Sequence, residues 1–125
     1  MISFIFNLDY RKTGRTITSL TKDGLPECPV ATTVSLIGSK WKLLILRNLI
    51  KRPWRFNELM RSLDGISQKV LTTSLRELQS DGIIYRKDYQ CNPPKVEYGI
   101  TDLGLHLQVL LDQMAAFGDY YKSQI

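Results

Sequence analysis

Two Asp-Gly steps, Asp64-Gly65 and Asp81-Gly82, constrain this 125-residue chain more than any other feature. Each ends a helical pattern, because glycine readily takes the left-handed backbone that follows a helix. Asn57-Glu58-Leu59-Met60-Arg61-Ser62-Leu63 is a short helical unit, and Asp64-Gly65 breaks it. Ser67 is placed to cap a second unit that runs to Ser80, where Asp81-Gly82 stops it. Ile83-Ile84-Tyr85-Arg86-Lys87 and Lys95-Val96-Glu97-Tyr98 have strand composition. They predict a hairpin from Ile83 to Ile100, turned by Gln90-Cys91-Asn92-Pro93-Pro94.

Helix, tight turn, helix and basic hairpin together predict a winged helix-turn-helix: mainly α with a small β-hairpin (α+β). A compact helix-turn-helix holds one helix rigidly outward, and the major groove of DNA accepts such a helix. In the second unit Val70, Leu71, Leu75 and Leu78 are expected to face the core. Gln68, Lys69, Thr72, Thr73 and Arg76 then point away, offering amide, ammonium, hydroxyl and guanidinium groups to base edges and phosphates. Ser67 and Arg55 are candidate backbone contacts. Arg86, Lys87 and Lys95 put positive charge along the wing, where it suits phosphates or a minor groove.

The net charge of +5 is unevenly spread. Residues 38–100 carry twelve Lys/Arg and six Asp/Glu, whereas residues 101–125 carry one and three. Positive charge gathered on the helix-turn-helix and hairpin suits a polyanion such as double-stranded DNA. Two other readings fit the same charge: a solvated basic face, and a winged helix that buries this face in a protein partner without direct DNA readout.

The flanks complete the domain. Residues 1–24 form an N-terminal extension in which Ile2, Phe4, Ile5 and Phe6 either add a strand or pack on a partner subunit. The winged-helix domain takes residues 25–125. Cys28-Pro29 starts a helix, since proline suits the first helical position and keeps its predecessor out of it. Val30, Val34 and Ile37 fall on one face of that helix, and Gly38 ends it. Ser39 caps the next helix, whose stripe is Trp41, Leu44, Ile45 and Leu49. Pro53 closes that segment, and Trp54-Arg55-Phe56 makes a brief strand. Thr101 caps a last helix over about 102–122, where Leu103, Leu107, Leu110, Leu111, Met114, Phe117 and Tyr121 recur at steps of three and four. Such a stripe reads as intramolecular core or, preferably here, as a homodimer interface, because the helix is long, acidic and terminal. Paired winged helices would match a two-fold pseudo-palindromic operator.

Other chemistries find little to work with. No apolar run approaches the roughly 20 residues of a membrane helix. The apolar start Met1-Ile2-Ser3-Phe4-Ile5-Phe6 lacks a basic leader and a cleavage site, so a cytoplasmic protein is expected. A metal site needs several converging ligands, and the chain has one histidine, His106, and two cysteines, Cys28 and Cys91. No metal, cofactor or enzymatic activity is expected, since carboxylates are scattered and no glycine-rich phosphate loop exists. His106 is expected at a helix surface. Trp41 and Trp54 read as core anchors. Lys40 and Lys42, flanking Trp41, read equally as phosphate contacts or as solvated lysines. Cys28 has two readings. A thiol at a helix N-terminus feels partial positive charge that favours its reactive anion, but cysteine is also used as a small buried hydrophobe.

At these positions the sequence resembles the HxlR-type regulators, a branch of the winged-helix superfamily close to the MarR-type proteins. The matching strings are Cys28-Pro29-Val30, Gly38-Ser39-Lys40-Trp41-Lys42-Leu43-Leu44-Ile45-Leu46, Arg55-Phe56-Asn57-Glu58-Leu59, Gly65-Ile66-Ser67-Gln68-Lys69-Val70-Leu71-Thr72, Leu75-Arg76-Glu77-Leu78, Asp81-Gly82-Ile83-Ile84, Pro93-Pro94-Lys95-Val96-Glu97-Tyr98 and Thr101-Asp102-Leu103-Gly104. The resemblance implies a dimeric transcription factor with the helix from Ser67 to about Ser80 in the major groove. It also implies that Cys28 matches a cysteine that senses oxidants or electrophiles in some members. The chain departs from the family at the wing tip, Gln90-Cys91-Asn92, and at Gly99, an unusual residue for a strand.

Overall fold

A computed structural model describes residues 24–125; the expectations for the N-terminal extension lie outside them. Six helices and three short strands follow in the order α1 (Pro29–Ile37), α2 (Lys40–Lys51), β1 (Trp54–Arg55), α3 (Phe56–Ser62), α4 (Gln68–Ser80), β2 (Ile84–Asp88), β3 (Val96–Ile100), α5 (Asp102–Leu105) and α6 (Gln108–Ser123). Most boundaries have a local cause. Pro29 opens α1 behind Cys28, which sits in extended backbone. The Gly38 N–H donates to the Val34 carbonyl (2.8 Å). The Ser39 hydroxyl accepts from the Lys42 N–H at 3.1 Å, and the Ser67 hydroxyl accepts from the Val70 N–H at 3.1 Å. Gly65 and Gly82, with φ of +90° and +79°, supply the left-handed turns on either side of α4. After α4 the Gly82 N–H donates to Gln79 and the Ile83 N–H to Leu78, both at 3.0 Å, which satisfies the last carbonyls and turns the chain into β2.

The core lies between α2, α3, α4 and the sheet. Ile45, Leu46, Leu49, Leu59, Leu63, Leu71, Leu75, Leu78 and Ile84 are buried in one cluster. The strands are antiparallel in the order β1-β3-β2, with Trp54 opposite Tyr98 and Ile84 opposite Ile100. Buried Asn48 ties the layers together. Its side-chain amide donates to the Ser62 hydroxyl (2.9 Å), and its backbone carbonyl accepts from the Trp54 indole (3.0 Å). Buried Thr101 joins the sheet to the last helices: its hydroxyl donates to the Gly82 carbonyl (2.7 Å) and accepts from the Gly104 N–H (3.0 Å).

Four expectations need correction or completion. Val70 is 37% exposed, and Ser74 takes the fourth core position of α4. The inward face runs Leu71, Ser74, Leu75, Leu78, the i, i+3, i+4, i+7 set, and Val70 lies about 100° off Leu71, at the margin. The last helix is two helices, broken at His106-Leu107; the exposed His106 lies at the joint, with Nδ1 3.0 Å from the Asp102 carbonyl oxygen. Val30 and Val34 share a face with Ile37 as expected, but only Ile37 is buried. Gly99 makes room for the end of the Tyr85 ring across the strand pair, which would have to shift for any larger residue there.

Candidate nucleic-acid interface

The outward ridge of α4 is built by the residues it leaves outside. With Leu71, Ser74, Leu75 and Leu78 buried, Lys69, Thr73 and Arg76 stand on the opposite side at i, i+4, i+7 and are exposed. Ser67 and Gln68 are exposed at the helix start, where free N–H groups and the positive end of the dipole favour a phosphate. Thr72 is half-buried on the flank that faces the wing. It shares a cleft of about 240 Å³ with Phe56, Leu75, Arg76, Gln79, Arg86 and Tyr98.

The wing carries its cations on two faces. Alternation in β2 puts Arg86 on the side of fully buried Ile84, towards α4, and Lys87 on the other side. Arg86 therefore lines the same cleft as Arg76. Lys87 and Lys95 instead gather over the Tyr89 ring, with Nζ 4.6 and 4.4 Å from its centroid. The positive charge expected along the wing is thus divided into two separate groups, because neighbouring strand residues point oppositely.

Arg55 is exposed at the start of α3, where its backbone N–H donates to the Glu58 carboxylate (2.8 Å). That bond, helped by the Arg52 guanidinium at 3.4 Å, holds the Glu58 carboxyl below its usual range. Arg55 and Lys95 line a cleft of about 450 Å³ between α3 and the wing. Sequence reasoning missed two further residues there. Asn57 and Arg61 are exposed one turn apart on α3; both line this cleft, and both line a neighbouring one with Gln68. Their signal was the i, i+4 spacing on the helix preceding the turn, the helix that crosses the backbone in helix-turn-helix complexes.

Lys42 belongs to neither of its two expected roles. Its ammonium lies 2.7 Å from the Glu77 carboxylate with the side chain 14% exposed, so it braces α2 against α4. Lys40 lies over the half-buried Trp41 ring, 4.5 Å from its centroid.

At the far end, Leu107, Leu110 and Leu111 pack on the domain core, and Leu103 is half-buried. Met114, Phe117 and Tyr121 project from it, exposed. With exposed Val30 and Val34 they leave an apolar surface across α1 and α6, indented by a cleft of about 290 Å³ lined by Val34, Ile37, Leu43, Leu110 and Met114. Cys28 caps α1 at the edge of this region, exposed, with its thiol free of disulfide bonding. Cys91 is also a free, exposed thiol at the wing tip, 3.2 Å from the Pro93 carbonyl oxygen.

The HxlR-like helix-turn-helix family matches residues 36–125, which include the ridge, the wing and the whole of α6. The chain belongs to this family. YdeP of Bacillus subtilis (strain 168), an HTH-type transcriptional regulator, is 43% identical over 105 residues, covering 84% of this chain and 82% of its own. The redox regulator HypR in its oxidized form superposes with a TM-score of 0.71 at 43% identity, over 74% of this chain and 96% of HypR. The HTH-type transcriptional regulator YtcD superposes at 0.74 with 42% identity, over 77% and 98%. The mainly helical winged-helix architecture expected for an HxlR-type chain is therefore correct. Among the described residues no helix is long and apolar enough to cross a membrane.

Proposed function

We propose that this HxlR-type protein is a cytoplasmic, sequence-specific DNA-binding transcriptional regulator that works as a homodimer on a pseudo-palindromic operator. The observation that carries the reading is the exposed ridge of α4: polar, cationic, capped at both ends and held against a complete core. In this reading Gln68, Lys69, Thr72, Thr73 and Arg76 read or flank bases in the major groove. Ser67, Arg55, Asn57 and Arg61 hold the backbone beside it. Arg86 reaches the groove from the core side of the wing, and Lys87 and Lys95 hold phosphates from its outer side. The apolar surface of α1 and α6 pairs the subunits, with Met114, Phe117 and Tyr121 at its centre and Leu103, Leu107, Leu110 and Leu111 supporting them from the domain side.

Cys28 is the candidate redox or electrophile sensor. Its thiol is exposed at a helix start beside the pairing surface, and HypR, a relative of similar fold, is a redox regulator. Oxidation or addition at that position would alter how α1 meets the partner subunit, and so the spacing of the two ridges.

The direct test selects duplexes from a random pool and then titrates the winner at rising salt. Counterion release predicts a steep fall in affinity, with a log–log slope of about −5 to −9 if six to ten phosphates are held. A shallow slope with no selected sequence would favour the protein–protein reading of the same face.

A further inference from the structure

We infer that Tyr89 is a positioning residue for phosphate binding by the wing: it gathers Lys87 and Lys95 over one ring and holds Glu97 out of hydrogen-bond reach of Lys95. The inference rests on the DNA-binding reading above and adds a role for a residue that contributes no charge of its own.

Register puts the four side chains on one face of the hairpin. Lys87 pairs with Glu97 across the strands, and the Tyr89 N–H donates to the Lys95 carbonyl (2.9 Å), which sets Tyr89 beside Lys95. Two like charges on one small face would ordinarily splay apart. Here both ammonium groups lie within cation–π distance of the same ring, at 4.6 and 4.4 Å. The negative face of the ring offsets part of their repulsion and removes freedom from two long side chains before any ligand arrives. The Tyr89 hydroxyl donates to Oε1 of Glu97 at 2.7 Å. The other oxygen of that carboxylate lies 4.0 Å from Lys95, an ion pair beyond hydrogen-bond distance, so Glu97 offsets part of the charge but leaves the ammonium's N–H donors for a phosphate. An ammonium pair held over a ring at the outer side of the wing fits a phosphodiester of the DNA backbone. It reads no base, so its contribution is the same on every sequence.

The test measures DNA affinity of the full chain on the selected duplex and on random duplex of equal length. The variants are Tyr89→Phe, Tyr89→Leu, Tyr89→Phe/Glu97→Gln, Lys87→Gln/Lys95→Gln, and the last combined with Tyr89→Leu. Tyr89→Leu is expected to weaken both duplexes alike by about 2- to 5-fold, the span of an exposed cation–π contact. Tyr89→Phe keeps the ring and frees Glu97 to pair with Lys95. It loses affinity too, and Glu97→Gln in the same chain restores it. In the lysine-free background Tyr89→Leu has no further effect. A merely structural tyrosine would keep its effect in the lysine-free background. An unchanged affinity for Tyr89→Phe and Tyr89→Leu, or an equal loss with and without the lysines, overturns the inference while leaving DNA binding intact. Failure of the wild-type chain to bind any duplex overturns the functional reading and this inference together. Should Tyr89→Leu not fold, Tyr89→Phe compared with and without the two lysines decides the question alone.

Discussion

The two ends of this molecule are built on opposite terms. At the reading end, α3, α4 and the wing close their apolar side chains into a core and leave polar groups outside. At the pairing end, α1 and α6 leave Val30 and Phe117 at 71% and 66% exposure, large apolar groups that nothing among the described residues covers. Charge divides the same way, with a net excess of six positive charges over residues 38–100 and of two negative charges over residues 101–125. One end is finished within a single chain and awaits a polyanion. The other leaves apolar side chains uncovered, which a second copy would cover under the proposed function. The comparison teaches that exposure means different things at the two ends: a ridge of donors is well solvated by water until DNA replaces it, whereas a contiguous apolar patch marks a surface that gains by being covered.

The largest expected effect tests the finished end. Leu71→Ala removes a fully buried side chain from beneath the ridge and should cost about 2–5 kcal/mol in urea unfolding. A loss under ~1 kcal/mol would mean that α4 is not anchored as described. Next comes the unfinished end. Phe117→Glu should weaken self-association by about 2–4 kcal/mol in sedimentation equilibrium, with little change in the subunit's own fold. Equal association by mutant and wild type would show that the exposed ring is no part of the subunit contact.

A third pair of substitutions separates readout from anchoring within the reading end. Arg76→Ala should cost about 1–3 kcal/mol on the selected duplex and relax preference there. Lys95→Ala should weaken selected and random duplexes alike and make the salt slope shallower by about one. Equal losses on both duplexes for Arg76→Ala would reassign it, with Arg86 in the same cleft, to the backbone.

The smallest effect is a pH-dependent one at the start of α3. The Arg55 backbone N–H holds the Glu58 carboxyl below its ordinary value, with Arg52 assisting. A lowered folded-state value stabilises the fold above the ordinary carboxylate range, and that stability is lost as pH falls through the lowered value. Glu58→Gln mimics the protonated side chain. Its melting temperature should lie slightly below wild type at neutral pH and converge with it under acid. A constant gap at all pH values would place the contribution elsewhere.

What could be read from sequence was whatever a few neighbouring residues decide. Ser39, Ser67 and Thr101 cap their helices, and Gly65 and Gly82 take left-handed backbone, because each signal and its effect lie within one turn. The ridge was legible for the same reason, since helical periodicity separates the two faces of α4, although at the margin Val70 is exposed and Ser74 buried, against the core set expected. What escaped depends on pairing across the chain. The room glycine leaves at 99 is taken by Tyr85 on the neighbouring strand, and the ion pair of Lys42 is made with Glu77 on another helix. The break at His106-Leu107 carries no proline to announce it. The split of the wing's cations was available from strand alternation alone, but the grouping over Tyr89 needed the hairpin register.

Hydroxyl-radical footprinting of the selected duplex tests most directly whether a paired molecule presents two outward ridges to one DNA. The account predicts two equivalent protected patches on the same face, centred about 10–10.5 base pairs apart or a multiple of that. A single protected patch under saturating protein, or two patches on opposite faces of the duplex, would contradict it.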